Sequence, residues 1–271
     1  GVQEIRLRSL SKRASIELAR DVLGESAGPD TIERLAVRAD GNAFYLEELL
    51  RAVAESKRTG SPVGPLPETV LGMVQARLSG LDAETRRVLR AASVFGDVFW
   101  LGGVAALLGG SQPRAGLDVL VQRELVSPAA GSRFAGETEL SFRHGMLREG
   151  AYAMLTPVDR ANGHALAGEW LLQHGETDAM VLAHHFELAG EQERAAQLLL
   201  RAATLALAAG DIQAAVTCGS KALPHLGAGA ERLACLRLLG EASVWHQSWA
   251  AADAHAGELA TLAPAGRDMW F

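Results

Sequence analysis

The chain is poor in cysteine and has no long run of apolar residues. Its 271 residues include two cysteines, Cys218 and Cys235, so a disulfide scaffold is not expected and a reducing compartment is favoured. The start, Gly1 to Arg6, carries charge where a signal peptide would be apolar. The longest uncharged stretch, 98–113, is broken by glycines and falls short of the ~20 residues of a membrane span. We therefore expect a soluble cytoplasmic protein.

Aromatic residues and a basic surface are also lacking. Aromatics make up 5% of the chain, while 48% of all residues are apolar and alanine and leucine are abundant. This composition favours close-packed helices over sheet. The formal net charge of −6 gives no field that would attract nucleic acid or an anionic membrane. A chain of this length is expected to form two domains, since domains usually contain ~100–200 residues.

Catalytic signatures are missing as well. The sequence has no Gly-x-x-x-x-Gly-Lys-[Ser/Thr] phosphate-binding loop, and the glycine-rich segment 109–111 lacks the lysine that would bind phosphates. No apolar run ends in paired acids that would hold magnesium. Seven histidines have no metal-binding spacing, which indicates packing or surface roles: His164, His174, His184, His185, His225, His246 and His255. No catalytic residue and no metal site are therefore predicted.

The predicted architecture is mostly α, and a linker separates its first two domains. Helical patterns over 1–57, with a short strand pattern at Glu4–Leu7, predict a small lid-like bundle. Glycines and prolines mark 58–66 as the linker. Residues 67–156 show helices followed by a two-stranded β-wing around Ala129–Gly136. That order is typical of a winged-helix domain.

The last part, 157–271, is predicted to be helical throughout. Thr156 and Asp159, on either side of Pro157, predict a capped helix start. Further on, several residues match the spacing of a ~34-residue tetratricopeptide repeat: Leu236, Leu239, Gly240, Ser243, Ala252, Ala256, Leu259 and Pro264. Small residues at such positions let neighbouring helices approach closely. We expect an incomplete α-α superhelix whose repeats continue in a longer parent protein.

Five segments resemble the signal-transduction ATPases with numerous domains: Gly41–Leu50, Leu66–Val70, Val74–Leu78, Arg87–Gly96 and Phe142–Tyr152. The closest resemblance is to bacterial multidomain proteins in which this ATPase and tetratricopeptide repeats are joined to a serine/threonine kinase, a nucleotide cyclase or a LuxR-type DNA-binding domain. The resemblance covers almost the whole chain and implies the regulatory part of such a protein. It further implies that ATP or ADP belongs to the parent's ATPase core, with no cofactor in this chain.

The resemblance also implies a nucleotide-binding role for five residues: Gly41, Asn42, Phe44, Arg143 and His144. In such ATPases a Gly-Asn-Pro-Phe-like turn lies against the nucleotide base, although Ala43 stands here where proline is common. His144 corresponds to a winged-helix histidine that senses nucleotide phosphate, and Arg143 adds charge beside it. Structural alternatives remain open. Gly41 would end a helix and Asn42 would cap the next, while His144 would cap its own helix or pack between domains.

The predicted function is therefore regulatory. A protein or small molecule bound to the repeats would shift the winged helix against the ATPase core of the same polypeptide. The predicted recognition helix, 113–125, balances its basic residues with acidic ones, so direct contact with nucleic acid is not expected. Two alternatives remain. The chain is a stand-alone helical-repeat adaptor for protein–protein interaction, or it is part of a serine/threonine kinase or LuxR-type transcription regulator whose effector domain lies outside it.

Overall fold

The computed structural model describes residues 9–24, 27–59 and 69–262. Within these ranges the chain is mostly helical, with fourteen α-helices and one three-stranded sheet. The strand pattern at Glu4–Leu7 lies outside the described residues, as does most of the predicted linker. The first two linker residues, Arg58 and Thr59, belong instead to a helix. No helix in the described ranges combines the length and apolarity needed to cross a lipid bilayer.

The first three helices enclose an apolar core of their own. They are α1 (Lys12–Leu23), α2 (Pro29–Ala39) and α3 (Ala43–Thr59). Ser11 begins α1, because its hydroxyl accepts a hydrogen bond from Ala14 N at 3.2 Å. Large apolar side chains at helical spacing fill the centre: Leu23, Ile32, Leu35, Leu46, Leu49, Leu50 and Val53. The apolar periodicity matches the buried faces of α2 and α3, whereas Leu18 and Val22 of α1 are exposed.

Helix α4 (Val70–Ser79) joins this core to a second one. It begins at Thr69, whose hydroxyl accepts a backbone hydrogen bond in the first turn. Met73 packs with the first three helices, whereas Val74 and Leu78 are buried in the next core. Because neighbouring positions on a helix face different directions, one short helix serves both cores.

The second unit contains a small antiparallel sheet among helices. Its elements are α5 (Ala83–Phe95), β1 (Val98–Trp100), α6 (Leu101–Leu107), α7 (Arg114–Gln122), β2 (Val126–Pro128), β3 (Glu139–Phe142) and α8 (Gly145–Ala153). Strand β3 is central, pairing Leu140 with Phe99 of β1 and Ser141 with Ser127 of β2. The sequence predicts β2 and β3 but misses β1. A three-residue strand has no alternation long enough to reveal it.

The third part is a series of helices in which each packs on the next. They are α9 (Pro157–Gln173), α10 (Ala179–Ala189), α11 (Gln192–Ala208), α12 (Ile212–Ala222), α13 (Ala230–Trp245) and α14 (Trp249–Leu262), with a 3-10 turn at Leu223–His225. The capped helix start predicted at Thr156 is confirmed, and Thr156 and Asp159 form a reciprocal capping box there. Helices α9 and α10 approach closely at Gly168, where a Cβ would lie 2.8 Å from the Phe186 ring. Consecutive packing of this kind is what stacked helical repeats require.

Candidate functional site

The turn at Gly41 connects α2 to α3 and lies against the residues that precede α1. Gly41 has a φ of 76°, which is costly for a residue with a side chain. Leu10 N donates a hydrogen bond to Gly41 O at 2.9 Å, and a Cβ at Gly41 would lie 2.7 Å from Leu10 O. Backbone conformation and close packing both require glycine here. A nucleotide contact by Gly41 stays a prediction.

Asn42 and Phe44 have different neighbours. The exposed Asn42 accepts a hydrogen bond on Oδ1 from Tyr45 N at 3.0 Å, so it is the N-cap of α3. The half-buried Phe44 packs against the core of the second unit. Its ring centroid lies 4.5 Å from that of His144. The structure thus brings together two of the five segments that carry the resemblance, Gly41–Leu50 and Phe142–Tyr152.

His144 immediately precedes α8 and lies between α3 and the sheet unit. It occupies the N-cap position of α8, but its side chain makes no capping hydrogen bond. The ring is 29% exposed, and its Nε2 atom lies 3.3 Å from Glu47 Oε2. That approach does not have hydrogen-bond geometry, and Nε2 has no hydrogen-bond partner among the residues that the structure describes. Packing between two units, the other structural alternative, is observed.

Carboxylates from α3 and from the turn after α7 surround Arg143. Its guanidinium lies 3.8 Å from Glu47 and 3.4 Å from Glu124. Arg51 joins the same two acids, at 3.1 Å from Glu47 and in a direct ion pair with Glu124. The hydrogen bond from Arg51 holds the pKa of Glu124 below its ordinary value. These four side chains form a partly exposed rim of alternating charge.

A buried ion pair lies beneath this rim. The side chains of Glu48 on α3 and Arg77 on α4 are 5% and 14% exposed and bind each other directly. Arg77 also donates hydrogen bonds to the carbonyls of Arg123 and Glu124, at 2.6 and 3.3 Å. Burial raises the pKa of the Glu48 carboxyl, against the opposing effect of the Arg77 charge. One guanidinium therefore ties α3, α4 and the end of α7 together.

Sequence motifs alone do not reveal the charged partners at this junction. They identify Arg143 and His144 but not Glu47, Arg51 or Arg77. The four-residue spacing of Glu47 and Arg51 is typical of an ion pair on a helix surface, so this pair could have been predicted from the sequence. Spacing within α3 does not show which neighbouring helix faces that pair, so the network required the tertiary structure.

A second junction, between the sheet unit and α9, is aromatic. Trp100 and Trp170 stack with their ring centroids 5.6 Å apart, and Phe134 of the β2–β3 loop contacts both rings. Arg133 of the same loop pairs with the buried Glu176 at 2.6 Å. The loop predicted as a wing therefore packs against the helices of the third part.

The histidines outside the α3–α8 junction show no arrangement typical of metal ligands. His164 and His185 hydrogen-bond to each other through Nδ1 at 2.9 Å, and Tyr152 Oη lies 2.8 Å from His164 Nε2. Burial lowers the pKa of His164 to about 3 and that of His185 to about 4, so both rings are neutral near pH 7. Within the described ranges, no three His, Cys, Asp or Glu side chains converge as a possible metal site.

Comparison with known proteins gives one similar structure. No family model matches the chain, and no curated protein matches it. The solved structure is that of a signal transduction ATPase with numerous domains, with a tetratricopeptide repeat sensor, from Pyrococcus horikoshii. Its sequence identity to this chain is 14% and the TM-score is 0.41. The match covers 94% of this chain, which spans 41% of the length of that protein.

Proposed function

We propose that this chain is the sensing and regulatory portion of a multidomain signalling ATPase. In this proposal α1–α3 form a lid bundle, α4–α8 with the sheet form a winged-helix domain, and α9–α14 begin a tetratricopeptide-like superhelix. The order of the elements supports this division, and α1–α3, the sheet unit and α10–α13 each hold an apolar cluster of their own. The boundaries 1–57, 67–156 and 157–271 stay predictions.

The contact between Phe44 and His144 carries the proposal. The two residues belong to the segments that resemble the family's lid and winged helix, and their rings lie 4.5 Å apart with Arg143 beside them. A nucleotide held by a neighbouring ATPase core would contact both segments at once. The Phe44 ring would pack near the base, while His144 and Arg143 would donate to phosphate oxygens. Gly41 and Asn42 would shape the turn that places Phe44.

Ligand binding to the helical repeats would bias this contact. The buried aromatic junction of Trp100, Phe134 and Trp170 joins α9 to the sheet unit, so movement of α9 would carry the sheet unit with it. A protein or small molecule bound to the repeats shifts the equilibrium only if it prefers one arrangement. In this proposal the chain performs no catalytic step. ATP or ADP is held by the ATPase core of the same polypeptide.

Release of ADP from the complete parent protein tests the role of His144. We expect the substitution His144→Ala to speed ADP dissociation about tenfold, the effect of losing one hydrogen bond to a charged group. His246→Ala is the matched control, because His246 is an exposed histidine at the end of α13. Equal dissociation rates in the wild type and both variants would reject a nucleotide role for this site.

A stand-alone helical adaptor is the second candidate function. Trp245 and Trp249, on either side of the turn between α13 and α14, are 68% and 63% exposed. Exposed large aromatic residues are typical of surfaces that bind other proteins. An adaptor would bind its partner with the same affinity whether or not ADP is present. A serine/threonine kinase or LuxR-type effector would be encoded outside this chain, and the flanking coding sequence would identify it.

A further inference from the structure

At the junction of α3 with α8, basic side chains lie beside carboxylates of the same chain. Arg143 lies between Glu47 and Glu124, and His144 Nε2 lies 3.3 Å from Glu47. Carboxylate and phosphate groups offer the same kind of charged oxygen acceptor to arginine and histidine. The Glu47 carboxylate therefore occupies space beside these two side chains that a phosphate group would need.

We propose that Glu47 is an internal anion that competes with a phosphate group for Arg143 and His144. The inference rests on the proposed nucleotide function and adds its regulation. When the Glu47 carboxylate is in place, the α3–α8 contact is closed and phosphate is excluded. When phosphate binds, the Glu47 carboxylate turns away from Arg143 and His144, while α3 keeps its other contacts.

Glu47, rather than Glu124, is the carboxylate that phosphate displaces. Glu124 forms a direct ion pair with Arg51, and its backbone carbonyl accepts a hydrogen bond from Arg77. Glu47 has the longer contacts, at 3.1 Å from Arg51, 3.3 Å from His144 and 3.8 Å from Arg143. It is also the acid that faces His144 Nε2 without hydrogen-bond geometry.

A phosphate oxygen would satisfy His144 better than Glu47 does. A buried polar atom without a hydrogen bond is costly, so an acceptor placed in line with Nε2 gains free energy that Glu47 does not supply. The start of α8 (Gly145–Ala153) adds the favourable field of a helix N-terminus for an anion. The geometry of His144 and the polarity of α8 thus favour the external anion.

Because the rim is partly exposed, replacing the Glu47 carboxylate by a phosphate group requires little free energy. Glu47 and Arg143 are 36% and 37% exposed, and an ion pair at such an exposed site contributes little to stability. The buried Glu48–Arg77 pair and the contacts of Met73 hold α3 against α4 when the Glu47 side chain moves. Exchange therefore requires a change of side-chain rotamer at Glu47 and no separation of the two units.

Pyrophosphate binding to the 271-residue chain tests the competition. The imidazole resonances of His144, assigned with the variant His144→Gln, report binding in NMR titrations. We expect Glu47→Gln to bind pyrophosphate about two- to fivefold more tightly than the wild type, the equivalent of losing an exposed ion pair. Arg143→Gln should bind more weakly. Glu17→Gln, which removes the same charge from an exposed pair on α1, should keep the wild-type affinity.

Opposite effects of the two neutral variants distinguish competition from a structural role. Losing the ion pair as a structural contact would shift Glu47→Gln and Arg143→Gln in the same direction. Unchanged or weaker pyrophosphate binding by Glu47→Gln would overturn the inference. So would His144 resonances that do not shift on addition of pyrophosphate in the wild type or in any of the three variants. If Glu47→Gln binds more tightly while ADP release from the parent is independent of His144, the nucleotide function fails and the anion competition stands.

Discussion

His164 and His185 face each other through their Nδ1 atoms, which lie 2.9 Å apart between α9 and α10. Tyr152 of α8 lies 2.8 Å from the other ring nitrogen of His164, so one chain of hydrogen bonds links three helices. Both histidines are 3% exposed. Two neutral rings satisfy this arrangement, because one Nδ1 donates and the other accepts. Two imidazolium rings would direct N–H groups at each other.

Acid should destabilise the protein through this pair. Burial lowers the pKa of His164 to about 3 and that of His185 to about 4, from 6.5. The unfolded chain takes up these protons below about pH 6.5, whereas the folded chain does not. The free energy of unfolding therefore falls as the pH drops from 6.5 towards 4, and in the middle of this range the slope approaches about 1.4 kcal/mol per pH unit for each histidine. Urea unfolding between pH 7 and pH 4.5 measures this slope.

Two variants separate this pair from the other titrating groups. His185→Asn removes one buried site and should have a smaller slope between pH 6 and pH 5, although it is less stable at pH 7. His246→Gln changes an exposed histidine and should keep the wild-type slope. An unchanged slope in His185→Asn would show that acid acts through other groups.

The capped helix start predicted at Thr156 is observed, because a cap depends on a partner about three residues away. Ser11 and Asp82 begin α1 and α5 through the same kind of local hydrogen bond. Strand β1 (Val98–Trp100) was missed, since it exists through pairing with β3 about forty residues later. Local chemistry is visible in one sequence, whereas pairing between distant segments is not.

Some residues of the candidate site are identified by local sequence motifs, and others are found only in the tertiary structure. The sequence motifs identify Phe44, Arg143 and His144, which the structure places together. They give no indication of Arg77, whose partners depend on how α3 and α7 pack against α4. The motifs do not indicate Glu124 either. It lies in the turn that ends α7, where its φ is 53°. The ionic network therefore had to be found in three dimensions.

Alanine at Gly41 should destabilise the protein more than alanine at Gly210. Both glycines have a positive φ, 76° and 79°, so alanine carries a similar backbone cost of about 1–2 kcal/mol at each. A Cβ at Gly41 would also lie 2.7 Å from Leu10 O, whereas a Cβ at Gly210 has no atom within 4 Å. We expect Gly41→Ala to lose at least about 1 kcal/mol more, as in other overpacked sites. Urea unfolding of both variants measures the difference, and equal losses would refute the packing argument.

Removing one partner of the buried Glu48–Arg77 pair should cost more than removing both. Arg77→Met leaves the Glu48 carboxylate buried, with Arg51 at 3.8 Å as its remaining cation. We expect a loss of about 3 kcal/mol, at the lower end for a broken buried pair because Arg51 still contributes. The double variant Glu48→Met/Arg77→Met should recover part of this loss, since no buried charge is left unpaired. Urea unfolding of the single and double variants gives the coupling free energy.

An exposed pair provides the comparison for this double-mutant cycle. Lys12 and Glu33 join α1 to α2 at 2.7 Å, and their side chains are 58% and 59% exposed. The same cycle on that pair should give a much smaller coupling, which salt reduces further. For Glu48 and Arg77 we expect a coupling of about 1–3 kcal/mol with little salt dependence, because water and ions have little access to the pair. Purely additive losses at Glu48 and Arg77 would mean that α3 is held against α4 by apolar contacts alone.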